Sequence, residues 1–454
     1  MNLSAGAWQR VQNTKRDYVE QTTSDLRRYF ARSLWLAPNN RYRSDTTRKV
    51  DEDFVQSGAF TPIKQANLAH YIASSAQMHC IDGWSYLASA ISTLLRGDSF
   101  AAVHLAYYAE LRAAMAIMAT DGVGVLNYRH CALVGPNKAA ELQGRMGTHP
   151  FAWESLQKWS EKTAAGDIIS ESITPFGIPL EAWFSTLPGS YTFQPLARSW
   201  IRTWGVDLMR LAHPEKGDRH ARNEASYRPT GLSANRPVSA QDAIRVAGQF
   251  WEMCEPVGSS KFEKLDRRLL RSSVKAFFNG RNQIPASESN EDYRTFVTSL
   301  VGAQSIGSDK YRLEIVEYLT ATEDGGVEDI VHLAKAKISH PDLGHLGVIS
   351  RAFLLLRLAS GTVDTTLRIA GVREDDLRFW KNALMSERGI GDPDSPPEEM
   401  GDFWKDVDDG LIDIRDRLKS GQDLTLSSMR PEFDDALFKL AGFDAVPLWA
   451  IARV

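Results

Sequence analysis

The fold is decided by the stretch Asp98-Ser-Phe-Ala-Ala-Val-His104-Leu-Ala-Tyr107-Tyr108-Ala-Glu110-Leu-Arg112-Ala-Ala-Met-Ala-Ile-Met118. This stretch is apolar nearly all round and starts at an aspartate, which is a favoured residue before the first turn of a helix. We therefore expect a helix over residues 98–120, buried at the centre of the protein. The glycines at 122 and 124 predict its end.

The same helical period continues along most of the chain and predicts an all-α fold. Apolar residues recur at three- and four-residue steps, as on amphipathic helices. Predicted helices cover residues 65–78, 83–95, 151–163, 194–212, 239–254, 260–279, 290–304, 308–321, 326–337, 345–359, 363–370, 374–386 and about 400–419. Few strands are indicated, and the proline- and glycine-rich stretches 174–190 and 214–238 predict loops.

The order of these segments predicts a helical bundle in the N-terminal half, followed by a second helical domain. We expect an N-terminal helical extension (1–60), a helical bundle (61–256), a helical interaction domain (257–387), a linker (388–399) and a C-terminal helical segment (400–454). The linker is the clearest boundary, because residues 388–399 concentrate glycine and proline.

Composition narrows the class of protein. The chain of 454 residues carries a net charge of -4, which argues against a globally basic nucleic-acid coat and leaves a local basic patch open. Its three cysteines are far apart, which fits a reducing cytoplasm and no zinc site. No signal peptide, membrane span, phosphate-binding glycine loop or metal motif is indicated, so we predict no metal and no cofactor.

Two groups of polar residues, one on the 98–120 helix and one just after it, are candidate site residues. On the 98–120 helix, His104, Tyr108 and Arg112 follow one another at four-residue steps, with Tyr107 and Glu110 on a neighbouring face. These residues either lock a buried hydrogen-bond network or face a cleft.

The second group is Asn127-Tyr128-Arg129-His130, directly after the glycine turn. A histidine beside an arginine tends to stay neutral, which suits a general base. The same group also suits a phosphate-contacting loop or an ordinary surface loop.

The densest polar stretch is Arg219-His220-Ala-Arg222-Asn223-Glu224-Ala-Ser226-Tyr227-Arg228. An arginine can hold a phosphate with two donors, and a tyrosine or histidine can transfer a proton. We expect Arg222, Asn223, Tyr227 and His220 to be catalytic and Arg228 to support them. The alternative is an interhelical loop that caps helix ends and pairs with acidic neighbours.

Arg222 and Asn223, followed by three residues and Tyr227, resemble the Arg-Asn-x-x-x-x-His motif of HEPN domains. The resemblance covers residues 65–256 at most. These domains are helical bundles, many of them metal-independent RNases of bacterial immunity, toxin–antitoxin and abortive-infection systems, and two protomers join their motifs at a dimer interface. The resemblance assigns Arg222 and Asn223 to the first two positions. Tyr227 stands where the family has its histidine, and a phenol, with a pKa of about 10, is a poor base at neutral pH.

Three functions are compatible with the sequence. The chain is either an HEPN-like defence protein that binds or cleaves RNA, with His130 or His104 as the base, or a helical scaffold or adaptor subunit of a defence complex. A small-molecule enzyme with a pocket around His104, Glu110 and Arg112 is the third. The expected partners are RNA or a partner protein, and the chain is expected to be a homodimer or a complex subunit.

Overall fold

The computed structural model describes residues 2–56, 58, 60–187, 192–206, 217–227, 240–257, 261–282, 285–321, 330–337, 344–389, 392, 400–419 and 440–451. Of the residues that the structure describes, 73% are helical and a few form one small three-stranded sheet, which confirms the predicted all-α class.

The N-terminal elements are α1 (Ala5–Gln12), α2 (Arg16–Phe30), α3 (Thr46–Val55), α4 (Pro62–Leu95), α5 (Ser99–Thr120), β1 (Val123–Gly124), β2 (His130–Gly135), β3 (Lys138–Leu142), α6 (Thr148–Ser160), α7 (Thr163–Ser172), α8 (Leu180–Ser185) and α9 (Gln194–Ile201). The later elements are α10 (Asp218–Tyr227), α11 (Ala240–Met253), α12 (Glu263–Arg281), α13 (Glu291–Gly302), α14 (Asp309–Thr320), α15 (Ile330–Leu333), α16 (Gly344–Ile369), α17 (Glu374–Arg388), α18 (Met400–Lys419) and α19 (Pro447–Ala450). Short 3-10 turns lie at Pro175–Gly177 and Leu440–Ala445, and a π turn lies at Arg202–Val206.

The central helix α5 is confirmed. The Asp98 carboxylate accepts a hydrogen bond from the backbone N–H of Ala101 at 2.9 Å, which satisfies one of the free donors of the first turn. Nearly all of its last two turns are buried, and Gly122 follows with a φ of 88°. This buried helix carries several side chains of the candidate site.

Helix α4 is one helix of 34 residues where the sequence predicted two. Gly83 lies inside it, and a Cβ added there would lie 2.6 Å from the Leu356 side chain on α16. The glycine therefore does not end a helix here, because it allows two helices to approach closely.

Helix α16 is also one helix where the sequence predicted two, and it packs against both α4 and α5. An 18-residue window of α16 is long and apolar enough to cross a membrane, but all of that window is buried inside the fold. Its apolar side chains belong to the same buried cluster as those of α4 and α5. Helices from the predicted segments 61–256 and 257–387 thus share one core.

The three strands form an antiparallel sheet in the order β1-β2-β3, in which Cys131 pairs with Gly124 and with Glu141. The prediction of a loop through His130 is therefore wrong at that residue, which begins β2 and is fully buried. The turn that joins β2 and β3 contains Asn137, which has a φ of 54°. Strands this short, one of them carrying a lysine and a glutamate, give little period-two signal.

The prediction of a loop over 214–238 is wrong for its middle part, where residues 218–227 form α10. Proline and glycine flank this segment but do not occur inside it, so helical hydrogen bonds can form there. Most of the predicted linker, and Arg228, lie outside the described residues.

Candidate functional site

Arg222 projects from α10 towards α5 and is only 8% exposed. Its guanidinium carbon lies 5.4 Å from the ring centre of Tyr107 and 5.5 Å from that of Tyr108. The negative faces of aromatic rings attract a cation at such distances. The two tyrosines therefore fix the position of the arginine.

The Arg222 guanidinium has few polar partners. Its Nη2 contacts His149 Nε2 at 3.5 Å, which is at the long limit of a hydrogen bond. Its Nε is buried without a partner, and no ion pair joins Arg222 to a carboxylate among the described residues. A buried cation without a counter-charge is costly, so this arginine is well placed to receive an anion.

His149, in the first turn of α6, is held between Arg222 and Tyr107. Its Nδ1 lies 2.8 Å from the Tyr107 hydroxyl. Burial, together with the charges of Arg222 and Arg219, lowers the His149 pKa to about 4, so the ring is neutral at pH 7. Because an arginine only donates, Nε2 is the acceptor and the ring proton lies on Nδ1.

His104, on α5, forms the solvent-facing side of the cluster. Its Nδ1 lies 2.7 Å from the hydroxyl of Ser226, one turn after Arg222 on α10. Burial and the Arg222 charge lower its pKa, so His104 is also predominantly neutral at pH 7. The Tyr108 ring centre lies 5.1 Å from the His104 ring and 6.3 Å from the His149 ring. Two neutral imidazoles and one arginine thus surround a single tyrosine.

Below this cluster lies a fully buried group of one arginine and two carboxyls. Arg351 of α16 donates from Nε to Asp218 of α10 at 2.9 Å, and the same Nε lies 3.4 Å from an oxygen of Glu110. Burial raises the pKa of Glu110 well above its usual value, and the Asp218 charge raises it further. One guanidinium balances one carboxylate, so we assign a proton to Glu110 at neutral pH.

The four residues predicted to be catalytic are not brought together. At about 100° per residue, Tyr227 and His220 point well away from Arg222 on a helix. Tyr227 is 79% exposed, and His220 Nε2 lies 3.4 Å from Glu224 of its own helix. Asn223 is half-buried beside Arg222.

Of the residues predicted to support the site, some lie near Arg222 and others do not. His104 and Tyr108 both contact α10, through Ser226 and Arg222 respectively. Arg112 instead contacts Nδ1 of His79 on α4 at 2.8 Å, because eight residues along a helix carry it about 80° round from His104. Glu110 is enclosed against Arg351, so the predicted pocket of His104, Glu110 and Arg112 does not form.

The Arg129 and His130 pair also has structural partners. Arg129 donates to Asp51 and Glu141. His130 stacks on Phe151 with ring centres 3.7 Å apart, and its Nε2 lies 2.8 Å from the Met146 carbonyl oxygen. Its burial does not fit the expected role of a general base that substrate reaches.

Sequence reasoning missed His149 and Arg351. His149 stands alone in Thr148-His149-Pro150, and Arg351 lies inside an apolar helix. No spacing connects either residue with Arg222. The one available signal was the charge of Arg351, because a buried arginine needs an acidic partner.

A comparison of the chain with protein-family models, with curated proteins and with solved structures finds no match. Within the described ranges, no group of three or more histidine, cysteine, aspartate or glutamate side chains is arranged to hold a metal ion.

Proposed function

We propose that this chain is an HEPN-like protein that binds RNA and cleaves it without a metal ion, with Arg222 as the phosphate ligand. The observation that carries the proposal is the buried Arg222 guanidinium, which has no ion pair with a described carboxylate. A phosphodiester supplies the missing negative charge, and arginine matches its geometry with paired donors.

The chemistry follows from the neighbours of Arg222. His104, which is neutral and half-exposed, accepts the proton of a ribose 2′-hydroxyl. The 2′ oxygen then bonds to phosphorus, the bond to the 5′ oxygen breaks, and the imidazolium returns its proton to that leaving oxygen. The products are a 2′,3′-cyclic phosphate and a 5′-hydroxyl. Arg222 stabilises the additional negative charge on the phosphorane.

His149 acts in this scheme as a positioning residue. It accepts from Arg222 and donates to Tyr107, and so holds the guanidinium in place. Tyr227 and His220 have no role in the reaction, although the resemblance assigned Tyr227 to the position of the family histidine.

The test is cleavage of a fluorescent single-stranded RNA by purified protein in the presence of EDTA. Arg222→Gln removes the charge and His104→Gln removes the base, while Tyr227→Phe is the matched control on the exposed side of α10. We expect loss of cleavage in the first two variants only, with folding checked by thermal melts. Equal activity of wild type and Arg222→Gln, or no cleavage by wild type, contradicts the nuclease proposal.

A scaffold or adaptor subunit of a defence complex is the second candidate. It is favoured by the packing of Arg222 on two tyrosines and by the buried contact of Asp218 with Arg351, since both contacts also stabilise the fold. It predicts a wild-type protein without RNase activity, and an Arg222→Gln variant that melts earlier or fails to assemble with itself or a partner. Size-exclusion chromatography with light scattering measures the assembly.

A further inference from the structure

A second polar site lies between the end of α7, the residues that precede α12, and α16. It is a cavity of about 110 Å³ whose lining includes Ser172, Lys261, Arg357, Gly361, Asp364 and Arg368. None of these residues belongs to the cluster around Arg222. The volume is sufficient for a small ion or a few water molecules.

Arg357 provides a fixed donor at this cavity. Its Nε and Nη2 donate to the Asp266 carboxylate at 2.8 and 2.7 Å, and Nη2 also donates to the Ser172 carbonyl oxygen at 2.6 Å. Its guanidinium carbon lies 4.9 Å from the ring centre of Phe262. Nη1 has no hydrogen-bond partner among the described residues. The guanidinium is therefore held on one edge and free on the other.

Gly361 lies between that free edge and Ser172. A Cβ added at Gly361 would lie 3.0 Å from Arg357 Nη1 and 2.8 Å from Ser172 Oγ. The Ser172 hydroxyl is itself buried and has no hydrogen-bond partner in the described part of the chain. The nearest atom to that Cβ would be Ser172 Cβ at 2.7 Å, so the glycine allows α16 to pack closely on the end of α7 and leaves the two unpartnered donors next to each other at the cavity.

Most charged side chains at the cavity are paired. Lys261 pairs with Asp364 at 3.0 Å, and Arg357 pairs with Asp266. Glu171, at the rim, lies 3.7 Å from Arg16. Arg368 is exposed and has no ion pair within the described ranges. Arg16 also pairs with Glu20 at 2.6 Å, so the charges at and beside the cavity balance, and an anion is selected by the donors that lack a partner rather than by net charge.

We propose that this cavity binds a small oxyanion, a phosphate group or a carboxylate, through Ser172 Oγ, Arg357 Nη1 and Arg368. Each contact is a hydrogen bond from a donor that lacks a partner, and two of the donors are charged. The site is independent of Arg222 and holds whether or not the chain cleaves RNA.

The experiment is isothermal titration of the full chain with inorganic phosphate at constant ionic strength, with acetate as a parallel titrant. Ser172→Ala removes one donor without adding bulk, and Arg368→Gln removes the exposed charge. Each substitution is expected to raise the Kd about tenfold, the usual loss of affinity for a hydrogen bond to a charged group. Gly361→Ala would place a methyl group 2.8 Å from Ser172 Oγ and 3.0 Å from Arg357 Nη1, so it is expected to abolish binding.

Two controls locate the ion. Arg145→Gln removes an exposed arginine that does not line the cavity and is expected to bind as wild type does. Arg222→Gln removes the other candidate phosphate ligand, and the binding that Ser172→Ala weakens is expected to persist in it. Tighter binding of either titrant identifies the kind of oxyanion. The proposal is overturned when neither titrant binds, when Ser172→Ala and Arg368→Gln bind as wild type does, or when Arg222→Gln alone abolishes binding.

Discussion

Asp218 and Arg351 lie 133 positions apart in the chain and form a hydrogen-bonded ion pair in the protein interior. Asp218 is the first residue of α10, and Arg351 lies near the start of α16, the buried helix that packs on α5. Arg351 also donates to the carbonyl oxygens of Ala334 and Ala336. This one side chain therefore fixes α10, and with it Arg222, against the core.

We expect Arg351→Met to destabilise the protein by about 3–5 kcal/mol, because it leaves two buried carboxyls without a cation. Urea unfolding at pH 7 measures the change. The matched control is Arg378→Met, which breaks an exposed pair with Asp375 and is expected to cost less than about 1 kcal/mol. Similar losses in both variants would show that the Arg351 contacts do not hold α10 in place.

We expect Glu110→Gln to be tolerated at pH 7 and to change the dependence of stability on pH. The pKa of Glu110 is raised in the folded protein above its ordinary value of 4.5. The stability that protonated Glu110 contributes is therefore complete below about pH 4.5 and is lost as the pH rises through the folded pKa. Glutamine does not titrate, so the variant does not lose this stability as the pH rises. Its free energy of unfolding should therefore rise relative to that of wild type between pH 5 and pH 8. A constant difference across that interval would contradict the assignment.

We expect His130→Phe to destabilise the protein at pH 7 by about 2 kcal/mol, because the backbone N–H of Leu126 and the carbonyl of Met146 lose their partner. Burial lowers the His130 pKa from 6.5 to about 4. Its neutral form therefore contributes stability above pH 6.5 that is lost as the pH falls towards 4. The gap between wild type and variant, measured by urea unfolding, should narrow on acidification. A gap that stays constant from pH 7 to pH 4.5 would argue against a buried neutral imidazole.

We expect His104→Gln to lower kcat of RNA cleavage by about 10²–10⁴, the usual contribution of a general base, without changing the melting temperature. His220→Gln is the control, because His220 faces Glu224 rather than Arg222. Since burial and Arg222 lower the His104 pKa, the acid limb of the wild-type rate profile should lie below pH 6.5. Equal effects of the two substitutions would remove His104 from the reaction.

The sequence was most informative where one local pattern decides the structure. Helix α5 could be predicted to within a residue, because Asp98 provides the cap and the apolar run is uninterrupted. Helix α10 could not be predicted in this way. The prolines and glycines on both sides of it indicated a loop, although its own ten residues contain neither. Local propensity is a weak guide over such a short segment, and packing on α5 decides it.

The site was only partly predictable for a different reason. Arg222, His104 and Tyr108 were found from their polarity and helical spacing. His149 joins them from 73 positions before Arg222. Tyr227 was selected for its distance along the chain from Arg222, but on a helix the position one turn on belongs to Ser226. Neither error could be corrected before the fold was known.

The position of α16 has a consequence for the order in which the protein can be made. This helix covers α4 and α5, yet it leaves the ribosome more than two hundred residues after α5. At about 5–20 residues per second, synthesis from the end of α5 to Ile369 takes roughly ten to fifty seconds, and α16 does not yet cover α4 and α5 during that time. Until translation passes Ile369, the newly made N-terminal half therefore exposes apolar surface that favours aggregation.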